Sequence, residues 1–205
     1  MKNIFISAVI LVASLQTLKS QGYGPGELSI NYNLAIPTSD LADFTSPASF
    51  RGLNFQYDYF VTDRISVGGY IGWSGFYEKK EAQSYSFGEG DVGYAINGTR
   101  YNYFFSLPIM LKGQYRFIDA GQILPYGALG IGTYYTEHET YIGGYGFKDK
   151  NWTFGIAPEL GTLLNLGQSG WAFKVAAVYN MNFYNKNNFN SATYIGLNFG
   201  FNYDF

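Results

Sequence analysis

The single histidine of the chain, His138, is the first candidate for chemistry. It lies between Glu137 and Glu139, with Thr136 and Thr140 close in sequence. A nucleophilic hydrolase needs a hydroxyl held by a histidine that an acid orients, and neighbours on one loop do not supply that geometry. A metal site needs several ligands at set spacings, which are absent from the sequence. The pattern therefore predicts a solvated, charged loop tip, with no catalytic residues, metal or cofactor.

Three other ionisable residues, Lys112, Glu159 and Lys174, stand in segments where bulky apolar residues alternate with small ones. Each falls on the face that carries the small residues. A buried charge needs a partner, so we expect the three side chains to form one ionic cluster. Two lysines and one glutamate leave an excess positive charge, which predicts a further acceptor, either Asn198 or a trapped water. The functional alternative is a gated, narrow ion path lined by the same groups.

The elements that would position these residues are strands, because the apolar pattern from Glu27 onward has a period of two. Eight such segments occur, and each has about ten residues, the length that crosses a bilayer at a tilt. Pro108 and Pro158 stand inside two of them, where each removes a ladder donor and predicts a bulge. The apolar faces of the eight segments begin at Leu28, Leu53, Ile65, Tyr103, Leu129, Phe154, Trp171 and Ile195.

The connections between these segments alternate in length. In an up-and-down barrel alternate connections lie at opposite ends, so one end should carry the long loops and the other the tight turns. The sequence predicts long loops at 37–50, 78–100, 136–151 and 180–191, and short turns at 60–64, 118–123 and 165–170. Bacterial outer-membrane barrels have this asymmetry, with the long loops outside the cell.

Composition indicates which face points outward. The chain has 205 residues, of which 47% are hydrophobic, 20% aromatic and only 14% charged. A soluble lipocalin-like barrel would turn the bulky face inward around a ligand. The interior of an eight-stranded barrel only just holds its own side chains, so the small-residue face fits there better. Lipid is then the solvent that accepts the bulky face. The net charge of −2 gives no indication of nucleic-acid binding.

The N-terminal residues have the features of a signal peptide. Lys2 supplies the positive start, residues 4–15 form a short apolar stretch, and Ser20 is a plausible cleavage point. We therefore predict a signal peptide at 1–20 and one barrel domain at 21–205.

The C-terminal run 197–205, in which aromatic residues alternate and Phe205 is last, resembles the closing strand of outer-membrane barrels. The runs 33–37, 106–112 and 155–161 also resemble small barrels of the OmpA/OmpX/OmpW-like "porin family". The resemblance implies an all-β, eight-stranded antiparallel up-and-down transmembrane β-barrel in the outer membrane of a Gram-negative-type bacterium. It also implies an assembly signal, read by the barrel-assembly machinery, formed by Leu197, Phe199, Phe201, Tyr203 and Phe205. The aromatic residues expected at the two membrane interfaces include Trp73, Tyr103, Tyr115, Trp152 and Trp171.

Three functions remain open at this point. The first is a structural or surface-interaction barrel, monomeric in lipid, with a closed lumen and long loops that bind an extracellular ligand. The second is a narrow, porin-like channel for ions or small solutes, and the third is a lipid-modifying enzyme, which depends on His138 alone. The loop residues that favour the first are Tyr85, Phe87, Tyr94, Tyr141, Tyr145, Phe147, Tyr184 and Phe189.

Overall fold

Eight antiparallel strands form a closed barrel in the computed structural model, which describes residues 26–87, 94–167, 169–183 and 191–205. Each strand pairs with its neighbours in chain order, and β8 closes on β1 from Glu27↔Asp204 to Thr38↔Thr193. The elements are β1 Gly26–Thr38, α1 Ser39–Phe44, β2 Ser49–Phe60, β3 Ile65–Phe87, β4 Tyr94–Arg116, β5 Ile123–Ile142, β6 Tyr145–Asn165, β7 Trp171–Asn182 and β8 Ala192–Asp204. The predicted fold is confirmed. The predicted signal peptide lies outside the described residues, so it stays a prediction.

Alternation in the sequence becomes alternation in burial. On β1, Leu28 and Ile30 are nearly half exposed, whereas Ser29 and Asn31 between them are buried. Successive side chains of a strand point to opposite faces, so each strand has one lumenal and one outer side. The predicted faces are confirmed in all eight strands, and the outside carries a wide apolar belt. No helix in the described ranges is long and apolar enough to cross a membrane.

One end of the barrel, the turn end, has the predicted short connections at 61–64, 117–122 and 166–170. The opposite end, the sheet end, differs from the prediction. Most of the predicted loop 78–100 is strand, since β3 and β4 pair as far as Phe87↔Tyr94. The predicted loop 136–151 is a hairpin whose two strands meet at the two-residue turn Gly143–Gly144. Charged and aromatic residues occupy both faces of these strands, so the period-two apolar pattern stops there although the pairing continues.

The two strand prolines do not cause the predicted bulges. β3 and β4 keep one register on both sides of Pro108, and β6 and β7 do so around Pro158. Each proline therefore removes one donor without displacing the strand. The register shifts between Asn33 and Ala35 in β1 and between Lys80 and Gln83 in β3. Both shifts lie toward the sheet end.

Candidate functional site: the filled lumen and the protruding sheet

The three ionisable residues expected in the lumen all point there and are buried. Glu159 Oε1 lies 3.1 Å from Lys174 Nζ. Lys112 does not pair with Glu159; its Nζ lies 3.0 Å from Oδ2 of Asp58, which is also buried. The lumen quartet is therefore Asp58, Lys112, Glu159 and Lys174, with no net formal charge. Asp58 supplies the acceptor that the excess positive charge required.

Tyr126 lies at the centre of the lumen quartet. Its hydroxyl donates to Glu159 Oε1 over 2.5 Å. The Nζ atoms of Lys112 and Lys174 lie 5.7 and 5.3 Å from the centre of its ring. A cation at this distance from an aromatic ring is stabilised by the ring quadrupole. The tyrosine therefore contacts both halves of the quartet.

Neutral side chains add one hydrogen bond to each of the two lysines. Lys112 Nζ donates to Gln114 Oε1 over 2.9 Å, and Lys174 Nζ donates to Gln56 Oε1 over 2.7 Å. Buried charges are tolerated when such bonds accompany the ion pair. The quartet is thus both neutral and bonded to its surroundings.

The predicted acceptor Asn198 has a different role. Its Oδ1 accepts from Asn33 Nδ2 over 2.6 Å and from Asn54 Nδ2 over 3.0 Å, so it joins an amide network instead of a lysine. The prediction of Asn198 was wrong because it counted charges on three strands only. Asp58 stands on the small-residue face of β2, so the alternation could have identified it.

A second ionic group closes the lumen at the turn end. Arg116 forms an ion pair with the buried Glu27, and its Nη2 lies 3.8 Å from Asp204 Oδ1. The guanidinium also lies 4.1 Å from the centre of the Phe60 ring. These residues come from β4, β1, β8 and β2, so the group ties together strands from around the barrel.

The other mouth of the lumen is filled by apolar side chains. The first connection folds inward as α1, whose Leu41 and Phe44 are buried against barrel residues. Two hydrogen bonds hold the segment: Asn102 Nδ2 donates to the carbonyl of Phe44 over 2.6 Å, and Lys80 Nζ donates to that of Asp43 over 2.9 Å. The mouth plug, as we name this cluster, consists of Ala35, Leu41, Phe44, Phe76, Phe104, Ala192 and Tyr194.

His138 belongs to the edge of the mouth plug, so the prediction of a solvated loop tip was wrong. Its ring meets Phe44 edge-on with 4.0 Å between ring centres, and Phe104 lies 6.4 Å away. Burial lowers the pKa of His138. The nearby threonine hydroxyls donate elsewhere, from Thr136 to the carbonyl of Asn151 and from Thr140 to Asn102. The side chain therefore acts in packing.

Little space remains between these layers. A lumenal cavity lined by Asn33, Asn54, Glu159 and Tyr194, among others, has a volume of about 20 Å³. That is room for roughly one water molecule. In the described part of the chain, no group of three or more histidines, cysteines and carboxylates could hold a metal ion.

At the sheet end the strands β3 to β6 continue as a four-stranded sheet. Pairing of β2 with β3 stops at Gly52↔Ser74, and pairing of β6 with β7 starts at Gly155↔Asn182. We define the protruding sheet as residues 75–87, 94–105, 136–142 and 145–154. Its described aromatic side chains at the hairpin tip are exposed: Tyr141 by 43%, Tyr145 by 63% and Phe147 by 47%. The predicted loop residues Tyr184 and Phe189, and the side chains of Tyr85, Phe87 and Tyr94, lie outside the described part of the chain.

Ion pairs brace the hairpin of β5 and β6. Glu137 lies 2.8 Å from Lys148 Nζ and 2.9 Å from Lys150 Nζ, and Lys148 also pairs with Glu139. Hydrogen bonds from Lys148, Tyr135 and Lys150 hold the pKa of Glu137 at about 2. These charges lie beyond the apolar belt, so this part of the sheet stands outside the lipid.

The predicted interfacial aromatics and closing strand lie on the outer side. Trp73, Tyr103, Tyr115, Trp152 and Trp171 are all more than a third exposed.

Leu197, Phe199, Phe201 and Tyr203 share the outer face of β8, and Phe205, which directly follows the strand, is also exposed. Phe205 also extends the pairing of β8 with β1. Its N–H donates to the carbonyl of Gly26 over 3.0 Å, and the N–H of Gly26 donates to the carbonyl of Phe205 over 3.3 Å. The terminal residue is therefore part of the closed barrel.

Comparison with known proteins identifies the fold. No protein-family model matches the chain, and no curated protein matches it in sequence. The attachment invasion locus protein Ail of Yersinia pestis, solved with the heparin analogue sucrose octasulfate, is similar with a TM-score of 0.53 at 14% identity, over 90% of this chain and 100% of that one. Neisserial surface protein A has a TM-score of 0.54 at 14% identity, over 89% and 100%. The chain thus has the fold of a small outer-membrane β-barrel, and its apolar belt is the surface that this location requires.

Proposed function

We propose that this chain is a surface-interaction barrel of the bacterial outer membrane, with a closed lumen and a protruding sheet that contacts a partner outside the cell. The observation that carries the proposal is the continuation of β3 to β6 as paired strands beyond the apolar belt. Paired strands hold exposed side chains in fixed positions, which lowers the entropy lost on binding.

A role in attachment agrees with the name of one structural neighbour. Ail is named as an attachment and invasion protein. We take outer-membrane lipid and the barrel-assembly machinery as the other partners of this chain, and a monomer as its state in the membrane. Loss of Phe205 should then reduce surface levels in cells more than it changes refolding of the purified barrel.

The channel alternative is disfavoured by the filled lumen. The lumen quartet and the mouth plug lie in series, and the cavity between them has room for about one water molecule. In planar bilayers we expect no discrete current steps from the wild-type protein. Stable steps of porin-like size would favour the channel instead.

Attachment itself can be tested with cells. A non-adherent bacterial host that expresses the chain should attach to protein-coated and glycan-coated plates better than the same host without it. Replacing Tyr141, Tyr145 and Phe147 together by serine should remove the gain on protein-coated plates. The control is Phe117→Ser, an equally exposed aromatic at the turn end. Both variants should keep the gel shift of a closed barrel, and equal attachment by the two would contradict the proposal.

A further inference from the structure

A groove runs along the outer wall of the barrel where β2 to β5 leave the apolar belt. Its volume is about 400 Å³. We define the rim groove by the residues whose side chains or outer surface line it: Arg51, Gly75, Tyr103, Phe105, Glu137 and Glu139. Phe76 and Phe104, which belong to the mouth plug, also line it.

Strand register explains how these residues come together. Gly75 pairs with Phe105, and Phe105 pairs with Glu137, so the three form a row across β3, β4 and β5. Arg51 lies one residue beyond Gly52↔Ser74, the pair of β2 and β3 closest to the sheet end, and this places it beside Gly75. From β2 to β5 the row therefore contains a cation, the open space at Gly75 that we call the gap, an aromatic ring and a carboxylate. The next row outward contains Tyr103 and Glu139, which are also a pair.

The gap in this row is fixed by the fold. Gly75 has no side chain, and a Cβ built at this position would meet nothing within 4 Å. Its carbonyl accepts a hydrogen bond from Ser49 Oγ over 2.6 Å, which ties the end of β2 to the groove. Tyr103 packs on Tyr77 with 5.0 Å between ring centres, so the outer wall is also held in place. The groove is preformed, which favours binding.

The chemistry of the lining selects the ligand. Aromatic side chains form the floor and one wall, a guanidinium donates on one side, and two carboxylates accept on the other. Lys148 and Lys150 hold both carboxylates in place. Arg51 forms no ion pair with any residue in the described part of the chain. A sugar ring matches this set, since its hydroxyls both donate and accept while its C–H face packs on an aromatic ring.

We infer that the rim groove binds a hexose ring. Lys148 and Lys150 neutralise the two carboxylates, so the lining selects a ligand by hydrogen bonds to hydroxyls and by ring packing, and not by the charge of the sugar. The inference rests on the proposed function, since it requires that the sheet end face outward, and it names one class of ligand for that surface. The groove opens sideways, just beyond Trp73 and Tyr135, so the hexose can come from a soluble glycan or from a glycolipid in the same leaflet.

Binding can be measured on the purified barrel in lipid nanodiscs. Saturation-transfer NMR with methyl hexosides should give signals for at least one hexoside. Gly75→Phe fills the gap and should weaken that binding at least about tenfold. The control is Gly113→Phe, an outward glycine of β4 that also has open space around it but lies far from the groove. Arg51→Gln should weaken binding too, and Arg64→Gln at the turn end should not.

A second experiment distinguishes a soluble glycan from a glycolipid as the source of the hexose. Nanodiscs that contain a synthetic glucosyl lipid should retain that lipid on the wild-type barrel through detergent exchange, and Gly75→Phe should lose it. Soluble binding without lipid retention assigns the site to a free glycan, and both together assign it to either source. No binding in either arm, or equal effects of Gly75→Phe and Gly113→Phe, would overturn the inference. Attachment to protein-coated plates that survives Gly75→Phe would leave the proposed function standing in those cases.

Discussion

The two ends of the lumen are closed by different physical means. Toward the turn end the closure is ionic: the lumen quartet and the pair of Arg116 with Glu27 come from strand residues alone. At the sheet end the closure is apolar, and α1 has to fold back into the mouth to complete it. Strand register fixes the first closure as soon as the barrel forms. The second depends on a connection that could leave without breaking any ladder.

This difference predicts that the lumen quartet determines the stability of the barrel and that the mouth plug determines access to its lumen. Breaking a buried ion pair leaves an uncompensated charge, at a cost of about 3–5 kcal/mol. Removing a plug side chain costs apolar contacts, and the barrel can remain closed beneath. The following experiments test that division, from the largest expected effect to the smallest.

Glu159→Gln should have the largest effect. It removes the negative charge that neutralises Lys174, while the amide oxygen can still accept from Tyr126, so we expect a loss of about 3–5 kcal/mol in the free energy of unfolding, less where water enters the lumen. Urea unfolding in liposomes measures it. The double variant with Lys174→Met should recover part of the loss, because no charge is then left alone. An unchanged unfolding midpoint together with unchanged conductance would falsify the stabilising role of the quartet.

Leu41→Ala should weaken the mouth plug with a smaller effect on the barrel. Truncating a buried leucine costs about 2–5 kcal/mol where its packing is lost, and here that loss should be confined to α1. Hydrogen exchange of the α1 amides should rise, while the unfolding midpoint should move less than for Glu159→Gln. Val61→Ala, an exposed change at the turn end, is the control. A global loss as large as that of Glu159→Gln would contradict the division.

The hairpin of β5 and β6 should lose order in acid. The pKa of Glu137, about 2, lies below the ordinary value of 4.5, so its ion pairs stabilise the folded hairpin at neutral pH. That contribution is lost as the pH falls from about 4.5 to about 2. The group is partly exposed, so solvent and salt screen the effect and we expect it to be small. Weaker amide protection in the hairpin at pH 3 than at pH 7, measured relative to the intrinsic exchange rate at each pH and absent in Glu137→Gln, is the expected result.

Asp119→Asn should change least. Arg64 Nη2 lies 2.9 Å from Asp119 Oδ2 on the surface of the turn end, and this pair lowers the pKa of Asp119. Exposed ion pairs contribute little to stability, so we expect no measurable shift of the unfolding midpoint. A shift comparable to that of Glu159→Gln would show that the turn end depends on surface charges and not on the buried groups.

The sequence by itself determined the barrel. Period-two alternation assigned each side chain to one face, and the narrow interior decided which face points inward. The inward positions of Lys112, Glu159 and Lys174 follow from that pattern alone. The short turns follow from the spacing of the strands, because a few residues are enough to reverse a strand.

Only the tertiary structure decided which groups meet. Lys112 pairs with Asp58 because strand register places both residues opposite Gly68 of β3, and alternation carries no information about register. His138 packs on Phe44 because α1 folds back into the mouth, which no periodicity marks. The protruding sheet escaped prediction for a related reason. Part of its inner face packs on α1, and charged residues interrupt the apolar residues of its strands, so no period-two apolar pattern records its pairing.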